Sequence, residues 1–179
     1  MEPTWLLLIY TVPAEPSRKR AAVWRELKRA GAVAVRDGVW ALPEREETRS
    51  RAQTIAGKVT ELGGQATLVQ GARVDAARSA DIVASARSAS AREYQELIEE
   101  AGHFLAHVQR EHEHRNVTFH ELEELEADLG KLRHWSAQVV ARDYFAAAGR
   151  TEVEHLLARC DELLESFLEY AFRDAEARG

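Results

Sequence analysis

The sequence predicts an α+β protein in two parts, a small mixed module over residues 1–73 and an all-helical part over residues 90–179. Three observations predict it. The first part alternates short apolar runs with segments of helical period, in the order βαββαβ. The second carries apolar residues three and four apart along three long segments. Charge divides at the same place: residues 1–73 hold 12 Lys+Arg against 8 Asp+Glu, or +4, and residues 74–179 hold 12 against 22, or −10.

The continuous apolar run Trp5-Leu6-Leu7-Leu8-Ile9-Tyr10 reads as a strand buried on both faces. Pro13 and Pro16 end it. Ser17 is positioned to cap a helix that runs to about Ala30, with Ala21, Val23, Trp24 and Leu27 inward and Gly31 as the stop. Two short strands follow, Ala32 to Arg36 and Val39 to Leu42, joined at Asp37-Gly38, a dipeptide suited to a type I′ hairpin turn. Pro43 closes the second. A helix is expected from about Glu46 to Leu62, with Ile55, Val59 and Leu62 inward, and Gly63-Gly64 breaks it. Ala66 to Val69 is the last strand. This order is the ferredoxin-like arrangement.

Residues 74–89, rich in Ala, Ser, Arg and Asp, read as a linker with a helical turn or two around Asp81 to Ala86. Beyond it, three capping boxes are expected to open three helices: Ser90 with Glu93, Thr118 with Glu121, and Thr151 with Glu154. Val117 and Leu122 would add a hydrophobic staple to the second. The apolar stripes are Tyr94, Leu97, Ile98, Ala101, Leu105 and Val108; then Leu122, Leu125, Leu129, Leu132, Trp135 and Val139; then Val153, Leu156, Leu157, Cys160, Leu163, Leu164, Phe167 and Leu168. Short joints at His114–Val117 and Ala146–Arg150 favour antiparallel neighbours, hence an antiparallel three-helix bundle.

Composition excludes several classes. A hydrophobic fraction of 45% with 30% charged residues is globular. The six apolar residues from Trp5 to Tyr10 fall far short of the ~20 that span a bilayer, and no basic flank or cleavage site makes them a signal peptide. The single cysteine, Cys160, excludes an internal disulfide and fits a reducing, cytoplasmic setting.

Chemistry is expected at the first helix. Arg18, Lys19, Arg20, Arg25, Lys28 and Arg29 set six cations against Glu26. Cations in a first turn oppose the helix dipole unless an anion joins them, and the free N–H groups there already favour one. DNA phosphate or a small oxyanion would fit; the competing reading is a solvated basic face with a few pairings to acidic residues. No helix-turn-helix, zinc-finger or RNA-binding signature occurs.

Enzyme motifs are weaker still. Glu100 with His103, Glu111 with His114 and Glu152 with His155 repeat the Glu-x-x-His spacing of di-iron bundles, and His103 with His107 stand four apart. Such a site also needs inward glutamates from two further helices, and the bundle has only three, so no metal or other cofactor is expected. His112 and His114 are explained by the helix end and solvent. Cys160 sits on an apolar stripe and reads as an inert thiol. Trp5, Trp24, Trp40 and Trp135 read as core. No phosphate loop or nucleophile elbow is present, so the chain is expected to bind rather than catalyse.

Several segments carry a family resemblance: Trp5–Arg20 (WLLLIYTVPAEPSRKR), Val23-Trp24-Arg25, Leu27-Lys28-Arg29 and Asp37–Pro43 (DGVWALP). It continues through Phe119–Leu129 (FHELEELEADL), Lys131-Leu132, Trp135 and Arg142-Asp143-Tyr144-Phe145. Together these resemble the N-terminal region of the chromate-resistance regulator family, ChrB. The resemblance implies a transcriptional regulator of a chromate efflux operon that binds double-stranded promoter DNA and releases it when chromate is present. It makes Arg18, Lys19, Arg20, Arg25, Lys28 and Arg29 the candidates for phosphate or chromate contact. A homodimer would duplicate the basic helix for two half-sites, and ferredoxin-like modules often pair through their sheets.

The first module also looks like those of PaaX-type repressors and CRISPR-associated nucleases. The nucleases place an acidic ligand after the first strand, where this chain has Tyr10-Thr11-Val12, so nuclease activity does not carry over. Longer family members continue into a rhodanese-like domain associated with chromate sensing. For these 179 residues, either sensing lies within them or the short form is a partner or truncated relative. The alternative function is an accessory oxyanion- or protein-binding module without DNA contact.

Overall fold

The computed structural model describes residues 4–114 and 118–178. Among them the chain is α+β, with four strands in one antiparallel sheet and five helices. It forms two compact units: residues up to Ala89 with Arg142–Phe145, and Ser90–Ala141 with residues from Ala146 onward.

The first unit runs β1 (Trp5–Thr11), α1 (Arg18–Arg29), β2 (Val33–Arg36), β3 (Val39–Pro43), α2 (Glu46–Glu61) and β4 (Gln65–Ala72). The strands lie in the order β2-β3-β1-β4. Alternation along β1 decides the core. Leu6 and Leu8 pack with Val23 and Leu27 of α1, Ala52, Ile55 and Val59 of α2, and Trp40 and Leu42 of β3. Each buried Leu, Val or Ile among them contributes roughly 1.5–3 kcal/mol.

On the opposite sheet face, Trp5 clusters with Ala41 and with Ile82 of α3 (Ala76–His114). The buried Trp5 indole N–H donates to Ser79 Oγ at 3.1 Å, so its polar edge is satisfied. This cover ends early: Ile9 is 41% exposed and Val69 36%. The expectation of a strand buried on both faces therefore holds for the first half of β1 and fails at Ile9.

Two glycines set the path around α1 and the hairpin. Gly31 adopts φ +73°, and a Cβ there would lie 2.9 Å from the Arg142 carbonyl oxygen. With it, Gly31 N–H donates to Lys28 O and Ala32 N–H to Leu27 O, closing α1 by a Schellman motif. Gly38 adopts φ +69°, but Asp37 does not have positive φ. A register shift lies between Ala34 and Arg36 in the β2–β3 pairing. The hairpin at Asp37-Gly38 is therefore not the expected type I′ turn, which needs positive φ at both residues, and the bulge falls in β2 at Val35.

Three further expectations are corrected. Ser17 is in the αR region and its hydroxyl makes no capping bond to α1. Residues 76–89 form the opening turns of α3, where the sequence predicted mostly linker; Asp75 starts the helix, its Oδ1 accepting from Arg78 N–H at 2.9 Å. Alanine's high helix propensity explains the continuity. Ser90 is consequently buried in mid-helix and opens nothing.

In the second unit, α3 meets α4 (Phe119–Val140) and α5 (Arg150–Arg178) around one apolar cluster. Its buried members include Tyr94, Leu97, Ala101, Phe104, Val108, Leu125, Leu129, Val153, Cys160 and Phe167. All but Phe104 belong to the stripes read from the sequence. Thr118 caps α4 as expected, its Oγ1 accepting from Glu121 N–H at 3.2 Å. The staple partner Val117 lies outside the described residues. Helix α5 starts at Arg150, one residue before Thr151, and Glu154 Oε1 accepts from Arg150 Nε at 2.9 Å, so the third box does not form.

Candidate anion and nucleic-acid interface

Helix α1 buries Val23 and Leu27 and turns its other sides outward. Helical spacing sorts the exposed residues into two rows. Arg18, Arg25 and Arg29 lie seven and four apart on the side away from the core, and Arg20, Trp24 and Lys28 lie four apart beside them. Lys19 is half-buried at the edge.

Trp24 corrects the sequence reading. Expected in the core, it is 50% exposed, with Lys28 Nζ 5.8 Å from the centre of its ring. Val23, one residue earlier, takes the inward position. The signal was present: cations four residues to either side of Trp24 mark the polar face of a helix. Ala21 is exposed as well.

One carboxylate modulates the face. Glu26 Oε1 lies 2.8 Å from Lys58 Nζ of α2 and 3.2 Å from Arg29 Nη1. The Lys58 hydrogen bond, helped by Lys58, Arg29 and Arg25 charge, holds the Glu26 carboxyl below its ordinary range. Arg29 is thus partly neutralised. Among the described residues, Arg18, Lys19 and Arg20 form no ion pair, so three cations of the first turn are uncompensated. Ser17 leaves that turn without a side-chain cap, although Lys19 N–H donates to the Pro16 carbonyl at 3.0 Å; cations beside the positive end of a helix form a combination that attracts an oxyanion.

The Glu-x-x-His pairs do not assemble as a bundle-core site. His103 and Glu100 approach to 3.6 Å with both side chains largely exposed. Among the described residues no ion pair joins Glu152 to His155, and the His114 side chain lies outside the description. The His112 ring lies tilted with its centre 4.8 Å from that of Tyr170 and edge-on 6.2 Å from that of Phe167, so it has aromatic partners beyond the solvent expected for it. His107 instead meets Glu111 and, from α4, Glu121. The sequence predicts Glu121 only as a capping residue. Cys160 is a core thiol as expected: burial pushes it up to about 11.

Among the described residues, no helix is long and apolar enough to cross a membrane.

A family model described as "Protein ChrB, N-terminal" matches residues 20–178. Over 72 residues the chain is 40% identical to Protein ChrB of Cupriavidus metallidurans, a match covering 36% of this chain and 22% of that protein. The match thus spans less than a quarter of that relative's length. No solved structure matches.

Proposed function

The chain belongs to the family of the ChrB N-terminal region, and on that premise we propose that it is a DNA-binding transcriptional regulator of chromate resistance, responsive to chromate. It acts by binding, without catalysis, in the cytoplasm. The observation that carries this reading is the outward face of α1, where Arg18, Lys19 and Arg20 form no ion pair among the described residues and Trp24 stands exposed beside Lys28. Lysine and arginine neutralise backbone phosphate, and an exposed indole can pack against the sugar beside it. The arrangement β2-β3-β1-β4 with two helices is read as ferredoxin-like, and the helices of the second unit as a three-helix bundle.

The regulator is read as a homodimer that presents two basic helices to two half-sites. The exposed Ile9 and Val69 on the open side of the sheet support pairing there. A mobility-shift titration on the chain's own upstream DNA tests the function. A shifted band that disappears on adding chromate, and not on adding sulfate, is expected. No shift at any protein concentration would reject DNA binding.

The uncapped first turn of α1 favours a second reading, an accessory module that binds an oxyanion directly without DNA contact. Thermal protection by chromate in the absence of DNA, with no shift of DNA, would select it.

A further inference from the structure

Three side chains of the second unit that the DNA reading does not use converge on one point. His107 and Glu111 stand one turn apart near the end of α3, and Glu121 lies in the first turn of α4. His107 Nε2 is 3.2 Å from a Glu121 oxygen and 3.7 Å from a Glu111 oxygen. One ligand atom from each residue lies within 4.8 Å of the others.

Two carboxylates this close repel, and the repulsion is poorly screened here because both side chains are only 16% exposed. Positive charge placed between them relieves that repulsion. A protonated imidazole supplies one unit, whereas a divalent ion neutralises both carboxylates.

The spacing admits an ion. A metal about 2.0–2.2 Å from each donor holds neighbouring donors roughly 3.0–3.5 Å apart. The 3.2 Å separation matches, and the 3.7 Å one needs only a small side-chain rotation. One imidazole nitrogen with two carboxylate oxygens suits Zn2+, Mn2+ or Fe2+ better than the all-oxygen ions Ca2+ and Mg2+ or the thiolate-seeking Cu+. The groove that reaches His107 is lined by Glu96, Glu99, Glu100 and Asp128 against Arg110 and Lys131, an acidic balance that concentrates cations.

We propose that His107, Glu111 and Glu121 bind one divalent first-row transition ion, which clasps the end of α3 to the start of α4. Three protein ligands leave coordination positions for water or a small anion. The site does not depend on the DNA reading and stands or falls separately from it.

The test is a Zn2+ titration of the untagged, chelator-stripped full chain, followed by calorimetry and by thermal unfolding. One saturable site per chain and a rise in Tm are expected. Glu121→Gln keeps the backbone N–H that Thr118 accepts, so its α4 cap is retained; it should weaken Zn2+ binding at least tenfold and abolish the rise in Tm. His107→Ala should do the same, with His107→Gln as its replacement should the alanine variant unfold. His155→Ala should bind like the parent. Absence of saturable binding, or binding undiminished in both the Glu121 and His107 variants, would overturn the proposal.

Discussion

The phenolic hydroxyl of Tyr144 donates to the backbone carbonyl of Ala30 at 2.9 Å, tying the segment Arg142–Phe145 to the residue that ends the basic helix. Arg45 lies 5.4 Å from the Tyr144 ring centre, Arg51 donates to its hydroxyl, and Phe145 packs 5.9 Å from Trp5. A short stretch more than a hundred residues downstream therefore fixes where α1 ends. Tyr144→Phe should destabilise the first unit by about 1 kcal/mol through the unsatisfied Ala30 carbonyl. Gly31→Ala should cost more, on the order of 1–3 kcal/mol, because its φ is positive and the Arg142 carbonyl occupies the space. Denaturant titration measures both; equal stability in Gly31→Ala would contradict this packing.

The Glu26–Lys58 pair makes stability pH-dependent with a definite sign. The folded-state pKa of Glu26 lies below its ordinary 4.5. Its contribution is present in full above the unfolded value and is lost as pH falls through the lowered folded one. For a partly exposed pair this amounts to on the order of 0.5 kcal/mol. Unfolding at pH 7 and pH 3 should show a larger acid loss in the parent than in Glu26→Gln, and identical losses would refute the assignment.

Cys160 should resist thiol reagents in the native state at neutral pH. It is fully buried, its pKa is pushed up to about 11 by burial and then by Asp161, and its Sγ faces the Ala101 carbonyl. Reaction is expected only after unfolding. Rapid labelling of the folded chain would contradict the core described for the second unit.

Trp24 is half exposed, whereas Trp5 and Trp40 are buried. Added DNA should quench tryptophan emission through Trp24, and Trp24→Phe should abolish most of the change while an aromatic ring at this position preserves most of the affinity. Undiminished quenching in Trp24→Phe would assign the contact elsewhere.

Much of the fold was legible because local signals and packing agree. The strand run from Trp5, the helix stop at Gly31 and the stripes through Leu97, Leu125 and Cys160 each have one dominant cause, either periodicity or a glycine. The failures have other causes. Ile9 is apolar, but its exposure depends on where the cover of the sheet ends, which periodicity does not encode; Trp24 was misplaced because its apolar ring outweighed the cations four residues to either side. Residues 76–89 looked like a linker because arginine and serine masked alanine's helix preference and the buried Ser79 and Ile82. The cationic face was readable residue by residue, while its pairing to Lys58 through Glu26 and the meeting of Glu121 with His107 are tertiary facts. The resemblance marked Arg142–Phe145 without a reason, which the contacts to Ala30 and Trp5 now supply.

The most direct measurement is the salt dependence of binding to the upstream DNA, for the parent and for Arg18→Ala/Lys19→Ala/Arg20→Ala. If these three side chains meet phosphate, the slope of log K against log salt should become shallower by about 2–3 in the triple variant, alongside a large loss of affinity at low salt. Circular dichroism should remain that of the parent. An unchanged slope and affinity in a folded variant would contradict the assignment of DNA contact to α1.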